Sequence, residues 1–225
     1  MVSFVRAPRV LQKPAEVHLT PSQRATVHMA ASLLLDYPAD ELAEQCTAVR
    51  AELATLPAPV AEHLEAFCAR AEALGLRGLR EHYVETFDQR RRCALSLTYY
   101  SHGDTRSRGI AILAFKEVMR RRGFEAARDE LPDHLPVVLE FCALDESDIG
   151  GQMLAANREG LEVLRTALRS AGSPYSHLLE ALVLTLPEPD ERTLAGYRRL
   201  VSQGPPTELV GAGDLDATPF PVPER

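Results

Sequence analysis

Three groups of side chains in this 225-residue chain have types and spacings that chemistry needs. The first is Asp133 beside His134, a carboxylate and an imidazole able to pass a proton, with Glu130 three residues earlier. With phosphate held by Arg90, Arg91 and Arg92, or by Arg120, Arg121 and Arg122, such a pair would describe a helical hydrolase or nucleotide-dependent enzyme. The rest of the sequence does not support that reading. It has no GxSxG elbow, no GxxxxGK[ST] phosphate loop and no GxGxxG turn. A metal reading fails on number, because an adjacent Asp–His pair supplies two ligands where three or four must converge. His82 and His102 are isolated, and short arginine runs suit a helix C-terminus as well as they suit an anion. No catalytic residue, metal or cofactor is expected.

The second group, Leu97 to Arg106, crowds Tyr99, Tyr100, His102, Asp104 and Arg106 into one connection. Two readings of it stand side by side. It is a contact surface carried by an ordered loop, or Tyr99 and Tyr100 plug the edge of a core while Asp104 caps the following helix. The third group is Glu130 to Pro136. Asp133 suits the N-cap of a helix introduced by Pro132. Glu130 and His134, beside an apolar stripe that begins at Leu135, then form a rim able to hold a basic amphipathic peptide. A histidine at that rim predicts a peptide affinity that changes with pH near neutrality.

The elements that must position these groups read as helices. Thr20, Pro21 and Gln23 make a capping box with proline at the first helical position, and Val27, Ala30, Ala31 and Leu34 give one buried face that must stop before Pro38. A second helix runs from about Asp40 to Ala54. A third carries Val60, Leu64, Phe67 and Ala71 up to Gly75, and a fourth carries Leu76, Leu79, Tyr83 and Phe87. From Asp88 to Asp104 the periodicity fails and a loop is expected. Asp104 then caps a helix that runs to Arg122 ahead of Gly123. Leu135, Val138, Leu139 and Cys142 mark another, Ser147 to Ala171 a long one before Gly172, and Leu178, Leu179, Leu182 and Leu186 the next. Leu194, Tyr197 and Val201 mark the last. No segment alternates with period two, so the fold class is all-α: a single-domain bundle of about eight or nine helices over residues 20–203. Residues 1–19 read as a flexible extension and 204–225 as a flexible tail rich in Pro and Gly.

Composition narrows the function. Lys and Arg number 25 against 32 Asp and Glu, a formal charge of -7, which disfavours nucleic-acid binding and suits a basic partner. Cys46, Cys68, Cys93 and Cys142 lie far apart without a CxxC pair, as a reducing cytoplasm allows. No apolar run approaches the ~18 residues a membrane span requires.

At Tyr83-Val84-Glu85-Thr86-Phe87-Asp88, Arg91-Arg92, Leu97-Thr98-Tyr99-Tyr100, Gly103-Asp104-Thr105-Arg106 with Gly109, and Glu130 through Pro136 continuing to Leu139-Glu140-Phe141, the sequence resembles the respiratory nitrate reductase assembly chaperones. This is the NarJ or delta-subunit type within the TorD-like group. The stretch Leu33-Leu34-Leu35-Asp36-Tyr37-Pro38 extends the likeness to the first helix. The resemblance implies a TorD-like, non-catalytic cytoplasmic chaperone. Its partner would be the N-terminal peptide of the apo catalytic alpha subunit of nitrate reductase, held competent for molybdenum cofactor insertion before membrane docking. Molybdenum cofactor delivery proteins are further expected partners. Joined to the reading of the residues, it implies an apolar groove rimmed by Asp88, Glu130 and Asp133, with contact area from Tyr83, Phe87, Tyr99, Tyr100 and Leu135. Asp104, Arg106 and His134 complete the expected peptide site.

Overall fold

The computed structural model describes residues 17–125, 130–147 and 149–186. Helix α1 (Pro21–Leu35) opens as its residues require: the Gln23 amide donates to Thr20 Oγ1 at 3.2 Å and the Thr20 amide to Gln23 Oε1 at 2.9 Å. A cap of this kind is worth about 1 kcal/mol. The helix ends at Asp36, ahead of Pro38, with Val27, Ala30, Ala31 and Leu34 buried. After α2 (Leu42–Glu52) comes α3 (Ala58–Tyr83), which joins the two helices expected on either side of Gly75. The joint is a kink, because Gly75 has φ +67° and ψ 166°, a conformation that a β-carbon strains. The remaining helices are α4 (Leu97–His102), α5 (Arg106–Arg121), α6 (Leu135–Leu144), α7 (Ile149–Ala156), α8 (Arg158–Ser170) and α9 (Tyr175–Val183). The fold is therefore an all-α bundle, with nine α-helices and no strand among the described residues.

Two expectations are corrected. The segment from Asp88 to Asp104 is not a loop. A π-helical turn at Val84–Asp88 and a 3₁₀ turn at Arg91–Cys93 lead into α4, whose Leu97, Thr98, Tyr99 and Tyr100 are all buried. Six residues are too few for a 3.6-residue period to show, so local sequence hides this helix. The long helix from Ser147 to Ala171 is two helices, broken at Asn157 (φ -102°, ψ 15°), whose side-chain amide donates to the Met153 carbonyl at 2.8 Å. The break sets α8 against α4 so closely that a β-carbon on Gly160 would lie 2.7 Å from the Tyr100 ring. The ends at Gly123 and Gly172 fall where expected. The expected helix around Leu194 to Val201, and the stretches 1–16 and 204–225, lie outside the described residues.

Packing follows from the buried faces. α1 lies on α6 and α9, and α9 also covers α3 and α8, with Phe67, Leu135, Leu139, Leu178 and Leu182 fully buried between them. Ser32 Oγ, buried on α1, donates to the Pro136 carbonyl at 2.7 Å and fixes the entry of α6. On α8, Arg158, Glu162 and Arg165 share one face and are all withdrawn from solvent. The four cysteines are free thiols, three buried and Cys142 half-buried. Among the described residues no helix is long and apolar enough to cross a membrane.

His28 on α1 gives the fold a pH dependence. Thr185 Oγ1 donates to the Leu182 carbonyl at 2.7 Å, so His28 Nε2, 3.0 Å from that oxygen, must be the donor, and the ring is neutral. Burial first, and the nearby Arg24 second, lower its pKa from 6.5 to about 4. Below about pH 6.5 the unfolded chain takes up a proton that the native ring refuses. Stability is therefore fully present above that pH and is lost as the pH falls toward 4, by on the order of 3 kcal/mol for this group. Urea titrations at pH 7, 6 and 5 should show the midpoint falling, with a smaller slope for His28→Asn. Equal slopes would remove His28 as the cause.

Candidate functional site

The second and third sequence groups meet in space. The Leu97 amide donates to the Asp133 carbonyl at 3.0 Å, the Leu135 amide donates to the Leu95 carbonyl at 2.8 Å, and Ser96 and His134 face each other as an isolated antiparallel pair. Asp133 completes this clasp with its side chain: Oδ2 accepts from Thr98 Oγ1 at 2.6 Å and from the Thr98 amide at 3.3 Å. Thr98 is the second residue of α4, so Asp133 caps that helix from 35 positions along the chain. It does not cap its own helix, whose N-cap position is His134. The first two positions there need no cap, because the Leu135 amide donates to the Leu95 carbonyl and Pro136 has no amide hydrogen. Asp133 is fully buried and does not stand on the rim.

Beside the clasp lies a cleft of about 350 Å³. Its walls include Tyr83, Phe87, Asp88, Tyr99, Asp104 and His134, six of the residues singled out from sequence. The Tyr83 and Phe87 rings are 4.7 Å apart, and both lean on Tyr175, at 5.8 and 4.9 Å. Tyr37, half exposed, meets the edge of Tyr83 at 5.4 Å. The Tyr83 phenol is held above its ordinary pKa by burial and then by Asp36, Asp88 and Glu130, of which Asp88 lines this end of the cleft. At the other end the charges reverse. Arg91 reaches Asp104 at 3.1 Å and Arg108 approaches it at 3.7 Å, while the Arg108 guanidinium lies 5.8 Å from the Tyr99 ring centre and donates to Ser96 Oγ at 3.1 Å.

Several expected roles change. Tyr100 and Leu135 are core residues. The Tyr100 hydroxyl donates to the Ala94 carbonyl at 2.8 Å, and neither side chain faces the cleft. Thr105, not Asp104, holds the N-cap position of α5, because Asp104 is drawn to the two arginines. Arg106 is exposed on the first turn of α5, away from the cleft wall, and Glu130 lies beside the cleft rather than in it. Burial lowers the His134 pKa against the pull of Glu130, Asp36 and Asp133, so its protonation moves below the neutral range rather than into it. Asp36, Arg108 and Tyr175 were given no site role from sequence, and Arg90 only that of an anion-holding run. Of these only Asp36 falls in a stretch noted for its resemblance.

The Asp133–His134 pair does not form an acid–base couple, since Asp133 is sealed in the clasp and bonded to Thr98 while His134 faces the cleft. Among the described residues no three His, Cys, Asp or Glu side chains are grouped to hold a metal. The described residues form an all-α bundle with an aromatic cleft whose wall carries Asp88 and Asp104 together with Arg90, Arg91 and Arg108. Residues 53–181 match the family described as nitrate reductase delta subunit, and the chain belongs to that family. It is 30% identical over 166 residues to the probable nitrate reductase molybdenum cofactor assembly chaperone NarJ of Bacillus subtilis, covering 73% of this chain and 90% of that one. To the Escherichia coli K12 assembly chaperone NarJ it is 30% identical over 156 residues, covering 68% and 66%. To the nitrate reductase-like protein NarX of Mycobacterium tuberculosis it is 34% identical over 181 residues, which is 80% of this chain but about a quarter of that protein (27%). The two NarJ relatives are named as nitrate reductase molybdenum cofactor assembly chaperones, names that describe no catalyst.

Proposed function

We propose that the chain is a cytoplasmic, system-specific chaperone for respiratory nitrate reductase. It binds the N-terminal segment of the apo catalytic alpha subunit and keeps that subunit competent for molybdenum cofactor insertion before membrane docking. The observation that carries the reading is the cleft itself. Tyr83, Phe87 and Tyr99 offer apolar contact beside the carboxylate of Asp88, the combination that a basic amphipathic helix needs from a groove. Its cationic end, around Asp104, gives a bound segment a direction: basic residues toward Tyr83, an acidic or carbonyl group toward Arg108.

Calorimetry with the alpha subunit's N-terminal peptide tests this. Phe87→Ala and Tyr99→Ala, which remove aromatic anchors from the cleft wall, should each weaken binding about 30-fold, or about 2 kcal/mol. Arg106→Ala should leave it within about threefold, since that side chain is off the wall. Peptide affinity should also be flat from pH 7 to pH 8, where His134 stays neutral. A peptide that binds with unchanged affinity to both aromatic variants sits elsewhere on the protein.

A further inference from the structure

A second cleft, of about 780 Å³, lies between the first half of α1, the end of α6, helix α7 and the residues that follow α9. Ala25, Cys142, Ala143, Leu144, Ala155 and Leu186 give it an apolar wall, in which Leu144 is 51% exposed. The charges of the wall do not select an occupant. Arg24 stands against Glu146, and Asp145 is already held by Arg122 at 2.9 Å, so apolar contact has to do so. His28 belongs to the same wall and is only 4% exposed, yet its Nδ1 meets no hydrogen-bond partner among the described residues. With Nε2 donating to Thr185, that nitrogen is an acceptor without a donor.

The chain runs out of this cleft. Thr185 and Leu186 are part of the wall, and eight positions after Leu186 the sequence places Leu194, then Tyr197 and Val201, an apolar stripe at i, i+3, i+7 between Pro189 and Gly204. Eight residues reach at most about 27 Å, ample for the stripe to turn back onto the wall. A helix over residues 190–203 would be about 21 Å long. Alone in water a helix of that length is marginal, and it is stabilised by covering its apolar face. The first cleft has no wall residue beyond His134, so no part of its wall leads into this segment. We infer that residues 190–203 form a helix that docks in the second cleft of the same chain, with Leu194, Tyr197 and Val201 turned toward Leu144 and Leu186. Tyr197 brings a hydroxyl donor to the wall that holds the His28 acceptor. The tether keeps this occupant at high effective concentration, and the first cleft stays open.

The full chain has no tryptophan, so Tyr197→Trp gives it a single reporter. Its emission should be blue-shifted and shielded from acrylamide. Cys142, a free thiol in the wall, supplies a second readout: under mild oxidation at least one of Leu194→Cys, Tyr197→Cys and Val201→Cys should form a disulfide with it, absent in Cys142→Ser. Leu144→Glu puts a charge in the wall at a half-exposed position and should abolish both signals, whereas Leu113→Glu, at a position 65% exposed on α5, should leave both unchanged. A solvent-exposed indole together with no Cys142 disulfide from any of the three positions overturns the inference. So does either signal persisting in Leu144→Glu, because the segment then lies elsewhere. An exposed indole accompanied by a disulfide that Leu144→Glu removes upholds it, since only the larger ring is then refused.

Discussion

Replacing Glu162 with alanine is expected to destabilise the fold by about 3–5 kcal/mol and to lower the thermal midpoint by about 10 °C. Glu162 accepts from Arg158 Nε at 3.0 Å and from Arg165 at 2.7 Å, and the three side chains are 4–5% exposed. Bringing charges out of water is tolerable only while they compensate each other, and removing Glu162 takes from Arg158 and Arg165 the buried carboxylate they share. Arg165 keeps Glu180 at 2.8 Å, which limits the loss. The outer end of the same network makes the contrast. Arg169 approaches Glu180 at 3.4 Å but is 57% exposed, and Arg169→Ala should change stability by less than about 1 kcal/mol. Guanidinium-chloride titrations of the two variants measure the difference directly; equal effects would show that burial is not what sets the strength of this network. Replacing Arg158, Glu162 and Arg165 together by apolar residues of similar volume should be far milder than Glu162→Ala.

Asp133→Ala should remove about 3 kcal/mol, from the lost cap of α4 and from the Thr98 hydroxyl and amide left buried without an acceptor. Asp133→Asn keeps an acceptor oxygen and should lose about 1 kcal/mol. Because α4 presents Tyr99 to the cleft, the alanine variant should also bind client peptide poorly at temperatures where it is still folded. Thr98→Val should be non-additive with it, since both substitutions break one hydrogen bond. If Asp133→Ala were as stable as the wild type but bound no peptide, Asp133 would be a contact residue after all, and the clasp would not be its role.

The helices announced by caps and by a 3.6-residue stripe were legible: α1 with its Thr20–Gln23 box, α6 with Leu135, Val138, Leu139 and Cys142, and the stops at Gly123 and Gly172. What failed did so for physical reasons. α4 is shorter than two turns, and its amphipathic signal is lost among the neighbouring arginines. The break at Asn157 sets Gly160 against Tyr100, a long-range contact that the helical spacing on either side does not mark. At the site, Tyr83, Phe87, Tyr99 and His134 were recognisable by type. Asp133 was recognised as a cap, yet the helix it serves lies across the clasp, a partner that local spacing does not disclose. The burial of Arg158, Glu162 and Arg165 is equally silent, because an i, i+4, i+7 charged face reads as a solvated one.

The clasp between Leu95–Thr98 and Asp133–Leu135 also sets how this part of the chain can vary. It closes a loop that holds most of α4, all of α5 and the residues up to Pro132, and the entropy of closing a loop grows only with the logarithm of its length. Doubling or halving such an insert changes the closure term by about 0.6 kcal/mol, well below what the Asp133–Thr98 contacts contribute. A change of chain length between Phe124 and Glu130 should therefore cost the scaffold little, since it leaves buried Tyr100 and Met119 and the Arg122–Asp145 pair in place. The clasp is in this sense a fixed buckle, and the length of chain it spans is free to differ without undoing it.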